Sequence, residues 1–177
     1  MEKRHILISG NRGIGKSFLI QKILKEKGMP VCGFRSKSES RFRSDGFHDI
    51  FLHPADIPDT EWEFTKENQI GSCNSKIHNV DPDVFETVGV QLLRDLPEDA
   101  VILMDELGFM ETDSPKFMER ILELFRGDQH ILAAIKPRHD IPFLEEVRAC
   151  PKCREFCLTE DNRDRIFEEV SRIVRDW

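Results

Sequence analysis

The sequence predicts an α/β fold in which a mainly parallel sheet is covered by helices on both faces. The runs Ile6–Ile8, Val101–Met104 and His130–Ile135 are almost wholly apolar, as is typical of strands that are buried on both sides. Segments with apolar residues at helical spacing alternate with these runs, and such alternation favours parallel βαβ units. In sheets of this kind ligands bind at the carboxyl ends of the strands. We therefore expect the functional residues to follow the strands at that edge.

A glycine-rich turn follows the first strand and opens the first helix. Gly10, Gly15, Lys16 and Ser17 complete the pattern G-x-x-x-x-G-K-[ST], the Walker A loop. Glycines allow positive φ and a close backbone approach, so successive N–H groups and the helix N-terminus can surround a phosphate. Lys16 is expected to reach the β- and γ-phosphates and Ser17 to bind Mg²⁺; the alternative is a structural turn that needs glycine only for tightness. The predicted nucleotide-binding residues of this stretch are Gly10, Asn11, Arg12, Gly13, Ile14, Gly15, Lys16, Ser17 and Phe18.

Two further strands place charged residues at the same edge of the predicted sheet. The apolar run Val101–Met104 ends in Asp105 and Glu106 and has the form of a Walker B strand. Asp105 would hold Mg²⁺ opposite Ser17, directly or through water, and Glu106 would polarise the water that attacks the γ-phosphate. Lys136 and Arg138 follow the run that ends at Ile135. Either cation can contact the γ-phosphate, and their spacing does not choose between them.

The remaining elements follow from apolar spacing and from capping and turn residues. Strands at Pro30–Phe34 and Phe47–Leu52 predict a small β-hairpin, and the polar segment 35–43 is interpreted as its solvated tip instead of a basic patch. Residues 53–80 show little periodicity and predict a loop with one strand. The later predicted elements are helices at 81–96, 114–126, 141–149 and 162–177, and a last strand at Glu155–Thr159.

The composition favours one globular domain, residues 1–177, and argues against nucleic acid as a partner. The formal net charge is −7 at pH 7, whereas nucleic-acid binding normally needs a basic surface. No apolar run approaches the roughly 20 residues that a membrane helix needs. The five cysteines are an odd number without a secretion signal, which predicts a reducing, cytoplasmic location. We expect a monomer that binds nucleoside triphosphates, and the sequence identifies no protein partner.

These motifs together resemble the THEP1-type nucleoside-triphosphatase family, which includes the cancer-related nucleoside-triphosphatase. The resemblance covers nearly the whole chain and is most specific at Asp105–Glu111, which is similar to the family's Asp-Glu-(Ile/Leu)-Gly-x-Met-Glu stretch. Phe109 stands where the family commonly has lysine, and Phe18 replaces a second threonine. The other matching segments are Gly10–Ser17, Gly33-Phe34, Arg43–Ile50, Val80–Leu93 and Asn162–Asp164.

The resemblance implies slow, Mg²⁺-dependent hydrolysis of ATP, GTP and other nucleoside triphosphates with poor base discrimination. It implies a RecA- or AAA-like P-loop NTPase core of five strands in the spatial order 5-1-4-3-2, with a strand inserted between those that carry the two motifs. It also places Arg163 at the nucleotide. In this interpretation Lys16 and Glu106 are the catalytic residues, and Ser17 and Asp105 bind Mg²⁺.

Two other functions stay open at this stage. A nucleotide or small-molecule kinase uses the same loop but needs an acceptor pocket, and the segment 35–43 could then be its lid. The adjacent carboxylates of Asp105 and Glu106 favour water as the acceptor. A nucleotide-gated interaction protein would use hydrolysis only as a timer.

Three cysteines near the C-terminus resemble half of a zinc site. Cys150 and Cys153 have the spacing of two zinc ligands, and Cys157 follows them. Cys73 or His78 would have to complete the set, and both are distant in sequence. Cys157 lies inside the predicted last strand, where small buried thiols are ordinary. We predict that the protein holds no zinc.

Overall fold

The computed structural model describes residues 3–39, 42–74 and 78–177, and its central feature is an eight-stranded mixed sheet. In chain order the strands are β1 (His5–Ser9), β2 (Val31–Ser38), β3 (His48–Pro54), β4 (Gln69–Cys73), β5 (His78–Val80), β6 (Val101–Leu107), β7 (Ile131–Ile135) and β8 (Cys153–Cys157). Their spatial order is β5-β4-β3-β2-β6-β7-β1-β8. The neighbours from β2 through β6, β7 and β1 to β8 pair in parallel, whereas β2–β3, β3–β4 and β4–β5 are antiparallel.

The whole sheet has eight strands and not the predicted five, and its order differs because antiparallel strands extend it beyond β2. The five parallel strands have the predicted order 5-1-4-3-2, here β8-β1-β7-β6-β2. The predicted hairpin is present as the β2–β3 pair. Its polar segment includes residues 40 and 41, which lie outside the described residues. β4 and β5 occupy the stretch 53–80, where the sequence predicts only one strand. Both are short and carry polar or glycine residues such as Gly71, Ser72 and Asn79, so neither has a clear apolar alternation.

Helices lie against both faces of the sheet. The helices are α1 (Lys16–Lys27), α2 (Pro82–Val84), α3 (Val90–Leu92), α4 (Pro115–Arg126), α5 (Pro142–Ala149) and α6 (Arg163–Arg175), with a π turn at Phe85–Gly89 and 3-10 turns at Asp59–Glu61 and Glu160–Asn162. The predicted helix 81–96 is therefore shorter and contains the π turn, and the last strand begins two residues before its predicted start. None of the helices in the described ranges is long and apolar enough to cross a bilayer.

Alternating side chains of the parallel strands supply two separate cores. On one face Ile6 and Ile8 of β1 pack with apolar residues of α1 and α6. On the other face Leu7 packs with residues of α4, α5 and the π turn. Because β1, β2, β6, β7 and β8 run in the same direction, their carboxyl ends meet at one edge. The glycine-rich loop, the acidic pair after Met104 and the basic residues after Ile135 are therefore brought together there.

Candidate active site

The loop between β1 and α1 has the backbone of a phosphate cradle. Gly10, Gly13 and Gly15 have φ values of 143°, 78° and 101°, which side-chain-bearing residues rarely adopt. A Cβ at Gly10 would also lie 2.6 Å from the Leu158 carbonyl oxygen. The loop therefore needs glycine for its shape as well as for access. Its end is the N-terminus of a 12-residue helix, whose partial positive charge favours an anion.

Lys16 is buried inside this loop as the first residue of α1. Its ammonium donates to the carbonyl oxygens of Gly10 at 2.9 Å and Asn11 at 3.3 Å. It also lies 3.3 Å from Oε1 of Glu106. The loop thus holds a positive charge at its centre, and its present partners are a carboxylate and two backbone carbonyls.

Ser17 and Asp105 meet across the start of α1 and the end of β6. The Ser17 hydroxyl donates to Oδ1 of Asp105 at 2.8 Å. Asp105 is only 4% exposed, and this burial raises its pKa to about 6 although the hydrogen bond from Ser17 opposes the rise. A hydroxyl and a carboxylate are hard oxygen ligands, and Mg²⁺ usually takes only one or two protein ligands and completes its shell with phosphate and water. The two residues therefore fit a Mg²⁺ site.

Glu106 lies between two ammonium groups. Its Oε1 is 3.3 Å from Lys16 Nζ, and its Oε2 accepts a hydrogen bond from Lys136 Nζ at 3.3 Å. Oε1 is buried and accepts no hydrogen bond from any residue that the structure describes. The register of β6 against β7 shifts between Met104 and Leu107, which is the irregularity that frequently re-aims side chains next to active sites. One carboxylate oxygen is thus held by a hydrogen bond, whereas the other has only the ion-pair contact with Lys16.

A separate cavity of about 260 Å³ adjoins the loop between α1 and α6. Phe18, which is 75% exposed, and Arg163 both line it, together with the ring of Phe167. The ammonium of Lys22 lies 4.0 Å from the centre of that ring. Two aromatic rings and a guanidinium offer flat faces but few directional hydrogen bonds, so this cavity suits a planar group.

The chain is similar in sequence to known nucleoside-triphosphatases. The model of a protein family described as NTPase matches residues 5–171. The nucleoside-triphosphatase THEP1 of Methanocaldococcus jannaschii is 32% identical over 170 residues, which cover 93% of this chain and 94% of that protein. The chain belongs to the THEP1-type nucleoside-triphosphatase family.

Other members of the family are similar over almost their whole length. THEP1 of Aquifex aeolicus is 29% identical over 180 residues, 96% of this chain and 98% of that protein. The cancer-related nucleoside-triphosphatase homolog of Mus musculus is 26% identical over 184 residues, 97% of each chain. The crystal structure of the Aquifex aeolicus THEP1 superimposes with a TM-score of 0.71 at 27% identity and covers 94% of this chain and 96% of that chain. The P-loop NTPase α/β fold is therefore shared with this family.

The THEP1-type stretch after Asp105 contains a buried carboxyl group that the sequence motifs do not assign to the site. Glu111 is 3% exposed and accepts a hydrogen bond from the Gly108 amide at 3.1 Å. Burial raises the pKa of Glu111 to about 7. Glu111 lines a cavity of about 170 Å³ beyond Glu106, together with Arg12 and Phe109. The only sequence signal for it is the Gly-x-Met-Glu pattern, which marks the family without stating a role.

The cysteines near the C-terminus of this THEP1-type chain differ in burial and in partners. Cys153 is buried, Cys150 donates through Sγ to the Phe125 carbonyl at 3.1 Å, and Cys157 is exposed, so its predicted burial is wrong. Cys73 and His78 lie in β4 and β5, at the opposite end of the sheet from β8. In the described ranges no group of three or more His, Cys, Asp or Glu side chains is arranged to hold a metal ion. The absence of zinc stays a prediction.

Proposed function

We propose that this protein hydrolyses nucleoside triphosphates to nucleoside diphosphates and phosphate, with Mg²⁺ and with little discrimination among bases. The observation that carries the proposal is the convergence of four side chains at one strand edge. Oγ of Ser17 lies 2.8 Å from Oδ1 of Asp105, and Nζ of Lys16 lies 3.3 Å from Oε1 of Glu106. The relatives that bear the name nucleoside-triphosphatase support the same reaction.

The loop and Lys16 bind and stabilise the transferring phosphoryl group. Backbone N–H groups of Gly10–Ser17 would surround the β- and γ-phosphates. Lys16 would turn from the Gly10 and Asn11 carbonyls to the phosphate oxygens, where a fixed positive charge stabilises the transition state.

Ser17 and Asp105 would hold Mg²⁺ beside these phosphates. When bound, the ion would neutralise charge on the β- and γ-phosphate oxygens. The Ser17 hydroxyl now donates its proton to Asp105, and it can instead turn a lone pair to the ion while the carboxylate remains next to it. Both oxygens are on secondary structure, one on α1 and one on β6, so their separation is fixed by the fold.

Glu106 would orient and deprotonate the attacking water. Once Lys16 has turned to the phosphates, Oε1 of Glu106 accepts the water proton as the new bond from the water oxygen to the γ-phosphorus forms. The bond from the γ-phosphorus to the bridging oxygen breaks, and its electron pair leaves with the nucleoside diphosphate. The cavity between Phe18 and Arg163 would receive the base by contact with its faces, and such contacts would discriminate little among bases.

A kinase is the second candidate, and one observation favours it. The cavity of about 170 Å³ beyond Glu106 is lined by Ser36, Ser38 and His78 as well as by apolar side chains. An acceptor hydroxyl placed there would face the same carboxylate as the water. Water alone does not require this volume.

The product of the reaction separates the two functions. We would incubate the protein with Mg²⁺ and ATP, GTP, CTP or UTP, with and without nucleosides and nucleoside monophosphates, and follow the products by phosphorus NMR. We expect inorganic phosphate in amounts equal to the nucleoside diphosphate, with all four substrates. Lys16→Ala should nearly abolish both binding and turnover, whereas Lys25→Ala, an exposed position on the same helix, should change neither. Phosphorylated acceptor in place of free phosphate would establish the kinase.

A further inference from the structure

Lys136 contacts the same carboxylate as Lys16 but from the opposite side. Lys136 follows β7, and its Nζ donates to Oε2 of Glu106 at 3.3 Å. Lys16 lies 3.3 Å from Oε1 of the same residue. Each oxygen of Glu106 therefore has its own ammonium neighbour, and only the Lys136 contact has hydrogen-bond geometry.

The position of Lys136 is fixed by contacts on several sides. Its amide donates to the Leu107 carbonyl at 3.0 Å, and its carbonyl accepts from Arg148 at 2.6 Å. The side chain runs across Gly108, where a Cβ would lie 3.0 Å from Cε of Lys136. Arg148 itself is 10% exposed and pairs with Glu145 on its own helix. These contacts hold the lysine at Glu106 independently of the phosphate loop.

Arg138, two residues further on, has a different environment. Its guanidinium donates to both carboxylate oxygens of Asp140, at 2.6 and 2.5 Å, and its side chain is 51% exposed. Arg138 therefore already has its partner at the surface. Of the two cations that the sequence leaves open, the structure brings only Lys136 to the acidic residue of the site.

We infer that Lys136 is a positioning residue that keeps Glu106 in place when Lys16 leaves it for the phosphates; this inference rests on the proposed hydrolysis. Without nucleotide, Lys16 has Gly10, Asn11 and Glu106 as partners. Phosphate oxygens compete with all of these for the same ammonium. Once Lys16 turns, Oε1 of Glu106 is free to accept a proton from water, and Oε2 remains held by Lys136. The two oxygens thus have separate roles, and one of them is anchored throughout.

The inference is tested by comparing Lys136→Met with Lys136→Arg and with the matched control Arg138→Met. For each variant we would measure kcat for phosphate release and, separately, the Kd of a non-hydrolysable ATP analogue with Mg²⁺. Misplacing a reacting group by about 1 Å can cost roughly 10²-fold in rate, so we expect Lys136→Met to lower kcat by about 10- to 100-fold. Its Kd should stay within about 3-fold of wild type, because the lost interaction acts on Glu106 and not on the nucleotide. Lys136→Arg should recover most of the rate, and Arg138→Met should match wild type.

Other outcomes overturn the inference in distinguishable ways. A Lys136→Met protein with weakened Kd and unchanged kcat would make Lys136 a phosphate ligand. Equal kcat values for Lys136→Met and Arg138→Met would leave it without a role. If Lys136→Met does not fold, Lys136→Gln is measured against the same criteria. Failure of the proposed hydrolysis itself has another signature, since wild type would then release no more phosphate than Lys16→Ala.

Discussion

At the scale of single residues, the burial of Glu111 couples stability to pH. The folded-state pKa of Glu111 is raised to about 7 by burial, above its ordinary value of 4.5. The stability that this group contributes is therefore fully present below pH 4.5 and is lost as the pH rises through 7. Glu111→Gln cannot ionise and keeps an oxygen that can accept from the Gly108 amide. We expect the variant to gain about 1–3 kcal/mol relative to wild type between pH 5 and pH 8.5.

Urea unfolding of both proteins at pH 5 and pH 8.5 measures this gain directly. Glu119→Gln, an exposed position on α4, is the matched control and should show no such gain. A stability difference between Glu111→Gln and wild type that is the same at both pH values would mean that Glu111 does not ionise in this range.

A second residue-scale prediction concerns Asp105 and its role toward Mg²⁺. Asp105→Asn keeps a group that can pair with Ser17 but removes the negative charge that a hard cation prefers. We expect the Mg²⁺ concentration for half-maximal hydrolysis to rise by about 10-fold or more, with a smaller change in nucleotide affinity. Titration of Mg²⁺ at fixed ATP measures the shift, and the exposed Asp113→Asn is its control. Overlapping titrations for Asp105→Asn and wild type would remove Asp105 from the metal site.

The sequence predicts some contacts of the site and not others for a physical reason. The convergence of Lys16 and Ser17 with Asp105 follows from two local patterns at the ends of parallel strands. The contact between Lys136 and Glu106 cannot be predicted from such local patterns. It depends on the path of the Lys136 side chain across Gly108, which has no side chain of its own there. The burial of Glu111 likewise depends on packing between elements.

At the scale of whole elements, apolar strands are predictable and edge strands are not. β1, β6 and β7 are buried on both faces and carry apolar runs that identify them. β4 and β5 owe their conformation to hydrogen bonds with β3 and with each other, and their sequences show no clear strand alternation. The sheet was therefore predictable at its parallel centre and not at its antiparallel edge.

The cavity between α1 and α6 predicts how the loss of Phe18 affects nucleotide affinity. Phe18 on α1 is 75% exposed and borders the cavity that we assign to the base. Loss of one aromatic contact, worth about 0.5–1.5 kcal/mol, should weaken binding by about 2- to 12-fold. We expect Phe18→Ala to raise the Kd values of ATP, GTP, CTP and UTP by similar factors, because the ring would touch the face of any base. Phe42→Ala, at the 68% exposed ring between β2 and β3, is the control for general loss of surface aromatics. Loss of affinity for one base alone would contradict a contact with base faces.

At the scale of the whole molecule, the acidic net charge and the cationic site are compatible because the positive groups are local. The chain carries a formal charge of −7, yet Lys16 lies inside the glycine-rich loop, and Arg12 and Lys136 line the cavity that borders Glu106. Screening limits the reach of surface charge to about 8 Å at physiological ionic strength, so the site's own cations dominate there. A bound nucleotide would contact α1, β6 and the loop between β1 and α1. Because it would bind only the folded state, in which these elements meet, it should stabilise the fold.

Because bound nucleotide stabilises the fold, the role of Glu106 in hydrolysis can be tested through thermal stability. Glu106→Gln keeps the size of the side chain but removes its basicity, so hydrolysis should fall by roughly 10²-fold or more. The variant should bind Mg²⁺–ATP at least as tightly as wild type, because Lys16 no longer has to leave a carboxylate. Ligand at about 100 times its Kd stabilises the folded state by about 2.7 kcal/mol, which raises Tm by about 5–10 °C in a chain of this size.

Thermal unfolding scans of samples taken at intervals during incubation with ATP measure the effect. The Tm of wild type should lose this rise as ATP is consumed, while the Tm of Glu106→Gln should keep it. A rise that decays equally fast in both proteins would show that Glu106 does not activate the water. A variant that never shows the rise would place Glu106 in binding and not in catalysis.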